Sequence, residues 1–180
     1  MKILLRIVLS ILGLVAFVAL AAFAIGAILP VDHSVSVTGV VAAPPAKVFA
    51  LITDIASGPA WRPEVKSVEI LPKDNTRDAW VEDLGSGQKM KFLATTTAPP
   101  DASGHGVRVV KLDDPAATYG GIWTYDIYPG PDSNTTTLKI TEAGYINPPL
   151  YRFMMKYIFG PTKNLDDYMK HIQVAAAAKS

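Results

Sequence analysis

The chain has 180 residues, with 17 Lys and Arg against 16 Asp and Glu, and no cysteine. So even a charge balance lacks the cation excess that displaces phosphate counterions, which argues against a nonspecific nucleic-acid binder. Disulfides, thiolate nucleophiles and Cys-ligated metals are excluded, and the 3 histidines, His33, His105 and His171, are too scattered to spell a metal or charge-relay set.

Ile7 to Leu29 is uncharged and almost wholly apolar, with Ser10 its only hydroxyl. At about 1.5 Å per residue a helix over this run spans a bilayer core of roughly 30 Å. Lys2 and Arg6 precede it, and the next cation after it is Lys47. The positive-inside rule then leaves the N-terminus in the cytoplasm and the rest of the chain outside, periplasmic or at the cell surface. A cleaved signal peptide is the competing reading, with small residues at Ala22 and Ala24, but the apolar run exceeds the usual core of roughly 7–15 residues. The expected division is an anchor over 1–31 and one domain over 32–180.

"HSVSVTGVV" alternates Val35, Val37 and, less cleanly, Val40 with polar neighbours, as a strand does. In "APPAKVFALITDI" the prolines pre-set a first helical turn, and Val48, Leu51, Ile52 and Ile55 recur at helical spacing. "SGPAWRP" allows only a short helical turn. Six strands follow between turn signals: "VKSVEIL", "DAWVEDL", "KMKFLATTT", "GVRVVKL", "GGIWTYDIY" and "TTTLKITEAGYI". No helix long enough for a parallel crossover separates them, so the sheet is an antiparallel meander and the class is α+β. The last element, Asn147 to Ile172, carries the stripe Leu150, Phe153, Met154, Tyr157 and Ile158, continued in phase by Leu165, Tyr168, Met169 and Ile172. That phase predicts one helix kinked at Pro161, with the stripe facing a ligand space. A second flank, Tyr151, Met155 and Phe159, is left to pack on neighbours or touch the bilayer. On this reading Pro161 makes the first half a movable lid, and Pro161→Ala straightens it.

"APPAKVFALITD", "WRPEVKSVEIL", "GGIWTYDI", "TLKITEAGYINPPLYRFMMKYIFG" and "LDDYMKHI" run in this order between Asp32 and Ile172. Together they resemble the START-like superfamily, the polyketide cyclase/dehydrase and lipid-transport group of SRPBCC-type proteins. The resemblance implies a helix-grip fold, in which a curved seven-stranded antiparallel sheet wraps a long C-terminal helix around a cavity. It implies binding of apolar or amphipathic molecules such as lipids, sterols or polyketides, and it does not require an enzyme. Pro161 and the N-terminal anchor depart from a plain member.

Trp123, Tyr125 and Ile127 share one strand face, so Trp123 and Tyr125 either line that cavity or simply pack the core. Met90, Phe92 and Trp80 carry the same two readings. Glu142 is in register with Leu138 and Ile140, as a partly buried acid, base or head-group contact, or as a rim carboxylate near Arg or Lys. Trp61 reads as a pin for the short helix, and Arg62 as an ion-paired residue or an anionic head-group contact. His105, between two glycines, reads as a loop residue. The expected ligand-binding set is Trp80, Phe92, Trp123, Tyr125, Glu142, Phe153, Met154 and Tyr157, with no cofactor and no metal.

The leading expectation is a membrane-tethered module binding a lipid or other hydrophobic small molecule. One alternative is a cyclase or dehydratase using Glu142 or Tyr125, and another is an interaction protein whose cavity is filled by its own aromatic rings.

Overall fold

The structure, a computed structural model, describes residues 2–85 and 87–178; Ser86, within the expected Gly85–Gly87 turn, and Lys179 and Ser180 at the chain end lie outside them. Helix α1 (Lys2–Ile28) is long and apolar enough to cross a membrane, a property that signal sequences share. Strand β1 (Asp32–Val41) follows, then α2 (Pro45–Thr53), whose first helical residue is a proline with φ already fixed for the turn. A 3₁₀ turn (Ile55–Ser57) leads into the single-turn α3 (Gly58–Trp61). The meander is β2 (Ser67–Asp74), β3 (Arg77–Asp83), β4 (Lys89–Ala98), β5 (Gly106–Leu112), β6 (Tyr119–Pro129) and β7 (Thr136–Ile146).

The seven strands form one antiparallel sheet in the order β1-β7-β6-β5-β4-β3-β2, so β1 closes on the last strand. In β1 the inward positions are Val35, Val37, Gly39 and Val41, and Val40 turns out to solvent at 48% exposure. Gly39 takes an inward place because a Cβ there would stand 2.9 Å from the Met169 sulfur.

The chain beyond β7 differs from the single kinked helix that the periodicity predicts. α4 (Pro149–Met154) runs into a π-helical turn (Met155–Phe159), and Gly160, at φ 90°, ends it. Helix α5 (Lys163–Ala178) then starts afresh and is the one gripped by the sheet. The break belongs to Gly160 as much as to Pro161, because a residue in that left-handed region cannot propagate a right-handed helix. Pro161→Ala therefore does not fuse the two halves. Gly160→Ala, which strains the backbone, is expected to cost about 1–3 kcal/mol in denaturant unfolding.

The main core lies where α2 and α5 cover β1, β7 and β6. Val41, Val48, Ile52, Ile127, Leu138, Ile140, Leu165, Met169 and Ile172 are buried together there. Thr136 Oγ1 donates to the Ala43 carbonyl at 2.6 Å and ties the start of β7 to the loop before α2. Trp80, Ala94 and Val110 make a second, smaller cluster on β3 to β5, and Tyr125 packs against both. The sheet is wider than α2 and α5 can cover, so a space remains between the clusters.

α4 packs on the end of α1 rather than flat on the sheet. Arg152, buried, donates from Nε to the Gly26 carbonyl at 2.9 Å and from Nη1 to the Ile146 and Asn147 carbonyls at 3.0 and 2.6 Å. It thus ties the last turn of α1, where the Gly26 carbonyl also accepts from the Leu29 amide at 3.2 Å, to the end of β7. Gly26 permits the approach, since a Cβ there would sit 1.9 Å from the Pro149 oxygen. Gly26→Leu is expected to lever α4 off α1. Trypsin cleavage at Arg152, mapped by mass spectrometry, should then accelerate several-fold while the unfolding midpoint of the sheet stays put.

Candidate functional site: a cavity between sheet and C-terminal helices

Between the two core clusters lies a cavity of about 780 Å³, within the range of roughly 300–1,000 Å³ usual for small-ligand sites. Its walls are β3 to β7 on one side and α3, α4 and α5 on the other. The inward register of the strands supplies the rings. Trp80 stands opposite Phe92 with ring centroids 5.6 Å apart, and Phe92 meets Trp123 edge-on at 6.1 Å. Glycines open the far end. At Gly120 a Cβ would meet the Leu112 side chain at 2.9 Å, and at Gly144 it would meet the His33 ring at 3.0 Å.

Of the eight residues predicted from the sequence, Trp80, Phe92, Trp123, Tyr125 and Glu142 border the cavity. Phe153, Met154 and Tyr157 do not; Tyr151 and Met155, from the flank assigned to packing or bilayer, border it instead. Helical phase misplaces these residues because the segment passes from α-helix into a π-helical turn and is separated from α5 by Gly160 at φ 90°. Phe153 and Tyr157 stack on each other at 5.2 Å, outside the wall. Of the rings expected to fill the cavity in the interaction-protein reading, Trp80, Phe92, Trp123 and Tyr125 border it, and Phe153 and Tyr157 lie outside it.

The cavity is not uniformly apolar. Arg62, just past α3, sends Nη1 and Nη2 to Glu82 Oε1 and Oε2 at 2.7 and 2.8 Å, and Nε to Glu64 at 3.0 Å. Glu82 also accepts from the Trp80 indole at 3.1 Å. With its donors so committed, Arg62 is not the free head-group contact that the sequence allowed. Burial alone would lower its pKa, but the Tyr168 oxygen and the Glu82 carboxylate outweigh that and raise it. Beside this pair the Tyr125 and Tyr168 rings stand 5.6 Å apart, and burial holds both hydroxyls above the usual phenol value, Tyr125 well above. They are neutral hydrogen-bonding groups at any physiological pH.

At the other end His33 Nε2 lies 3.2 Å from Glu142 Oε1. The sequence reading gave Glu142 an Arg or Lys neighbour at most and took His33 for an isolated residue. Strand register brings them together: His33 is opposite Gly144, and its ring crosses that bare glycine to the carboxylate two residues back. The third polar feature, Arg108 on β5, also borders the cavity and is 1% exposed. Trp61 packs edge-on against Tyr168 at 5.6 Å, as a pin does, and His105 stacks on Tyr128 in its loop at 4.7 Å. Among the described residues no cluster of His, Asp and Glu is placed to hold a metal.

No curated protein sequence matches the chain. Solved structures match its fold. The Zhui aromatase/cyclase from Streptomyces sp. R1128 is 17% identical, covering 81% of this chain and 94% of its own, with a TM-score of 0.61. A START superfamily protein from Mycobacterium smegmatis is 20% identical over 82% and 99%, with a TM-score of 0.60. Norcoclaurine synthase from Thalictrum flavum, solved with dopamine and hydroxybenzaldehyde, is 12% identical over 83% and 89%, also at 0.60. The sequence itself is matched from residue 32 to 166 by the family model described as polyketide cyclase / dehydrase and lipid transport. With that match spanning every strand and the helix-grip sheet built from it, the chain belongs to the polyketide cyclase/dehydrase and lipid transport family, within the START-like superfamily.

Proposed function

We propose that this protein is a membrane-anchored module that takes up a hydrophobic or amphipathic small molecule from the outer face of the bilayer into the cavity. The observation that carries the reading is which residues border the cavity on the side of α1. Tyr151 and Met155 border it, and they stand on the segment that Arg152 pins to the outer end of α1. Around them Leu150, Tyr157, Ile158 and Phe159 are exposed apolar side chains, 45–62% accessible. A patch of this kind at the foot of a membrane span sits at the depth of the lipid head groups, where tyrosines and aliphatic residues are favoured. The tether then holds the mouth against the reservoir of its ligand, raising the effective concentration without any added affinity.

The chain has no native cysteine, so single-site labelling is direct. A bimane placed at Ile158→Cys in the full chain, reconstituted in phosphatidylcholine nanodiscs, should be quenched by lipids brominated high on the acyl chain. The same probe at Ser133→Cys, in the turn at the opposite end of β7, should be unaffected. Equal exposure of both probes to aqueous iodide, with no lipid quenching, would remove the bilayer-facing mouth from the account.

The His33–Glu142 pair favours a second reading, acid–base chemistry on a bound carbonyl compound. A carboxylate beside an imidazole orients the ring and fixes which nitrogen carries its proton. This reading predicts that a molecule bound by Glu142→Gln leaves the protein chemically different from one bound by the wild type.

A further inference from the structure

Arg108 projects from β5 opposite Tyr125, on the same face as Val110, toward the cavity. None of its three side-chain nitrogens has a hydrogen-bond partner. Its guanidinium carbon stands 5.6 Å from the centre of the Trp80 ring, which meets the charge but accepts none of the N–H groups in the plane of the fork. Burial lowers its pKa, yet an arginine side chain remains a cation with five donors. A buried ion in this state is among the least favourable arrangements an interior can hold, and native structures avoid it unless something else completes it.

The acids within reach are engaged elsewhere. Glu82 is taken by both terminal nitrogens of Arg62 and by the Trp80 indole. Asp78, which acts on Arg108 only at a distance, pairs with Lys73 at 3.2 Å. Glu142 faces His33, and the hydroxyls of Tyr125 and Tyr168, held neutral by burial, bring no negative charge. Arg62 is itself shared between Glu82 and Glu64, and Arg108 is left as a buried cation whose donors meet no acceptor.

We propose that Arg108 is the head-group anchor of the cavity and that its ligand is a monoanionic amphiphile, a carboxylate on an apolar body. The proposal rests on the apolar-binding reading above and names its ligand class. A single carboxylate offsets the Arg108 charge and matches the guanidinium fork with two parallel N–H···O bonds. The guanidinium turns from the Trp80 ring into the cavity to make them. The apolar body then lies along Phe92 and Trp123 toward the mouth at Met155. A neutral lipid of the same shape leaves the cation uncompensated and binds more weakly.

The test uses the full-length chain in phosphatidylcholine nanodiscs, titrated at neutral pH with decanoate, its neutral isostere decanamide, and decylammonium. Heats are taken against empty nanodiscs. Decanoate should bind about tenfold more tightly than decanamide, the worth of one charge-assisted contact, with decylammonium weakest. Arg108→Met and Arg108→Gln should each bring decanoate and decanamide to within about twofold of one another while decanamide keeps its wild-type affinity. Two variants are used so that a folding defect in one does not decide the matter. Equal binding of decanoate and decanamide to the wild type, or a decanoate preference surviving in both variants, overturns the anchor and leaves the apolar-binding reading standing. If none of the three compounds binds the wild type, the anchor and that reading fall together.

Discussion

Glu82→Ala is expected to destabilise the domain by about 3–5 kcal/mol, the cost of removing one partner from a buried ion pair. The size follows from what the substitution leaves behind. The Glu82 side chain is 5% exposed and that of Arg62 18%, so the Arg62 guanidinium would lose both terminal acceptors without gaining water in their place. The Trp80 indole would lose its acceptor as well. Because Arg62 joins α3 to β3, the loss should appear as early exposure of the cavity wall as well as a lower denaturant midpoint. Arg62→Met combined with Glu82→Leu removes both charges, and that pair of substitutions should recover most of the stability. A loss below about 1 kcal/mol for Glu82→Ala would mean that the pair behaves as a surface salt bridge, which its burial contradicts.

Arg108→Met is expected to do the reverse in the empty protein, raising stability by about 1–4 kcal/mol, as when a buried ion gives way to an apolar side chain of similar volume. The thioether fills the space beside Trp80 and carries no donors to satisfy. Denaturant unfolding of ligand-stripped wild type and variant measures the difference. A residue whose removal stabilises the fold is one retained for another purpose, since protein sites commonly hold strain or unpaired charge where a ligand completes them. An Arg108→Met protein less stable than the wild type would show that the guanidinium contributes to packing more than its unpaired charge costs.

The strands were legible because alternation survives any tertiary arrangement. Trp123, Tyr125 and Ile127 share a face at period two whichever way the sheet curves, and β6 shows them so. The C-terminal segment was legible only beyond Gly160, where Leu165, Met169 and Ile172 are buried in phase. Periodicity describes one continuous α-helix, and before Gly160 the chain runs through a π-helical turn, with Tyr151 and Met155 at the cavity in place of Phe153, Met154 and Tyr157. The polar pairs were hidden for a different reason. His33 and Glu142 meet across 109 residues, and Arg62 and Glu82 across 20 that include all of β2, so each depends on register that no local pattern encodes. Arg108 did carry a signal, being in phase with Val110 and Leu112, but Val107 and Val109 offered an equally apolar opposite face. Only the sheet's curvature decided between them.

The central claim is that the cavity holds a small amphipathic molecule, and native mass spectrometry of the full-length chain released from its own membranes tests it most directly. The account predicts a discrete added mass on the wild-type protein, recovered as one class of compound by organic extraction. Val110→Trp, which projects an indole into the space beside Phe92 and Trp123, should abolish it without preventing folding. A wild-type protein that emerges with no added mass, or whose adducts persist unchanged in Val110→Trp, would contradict it.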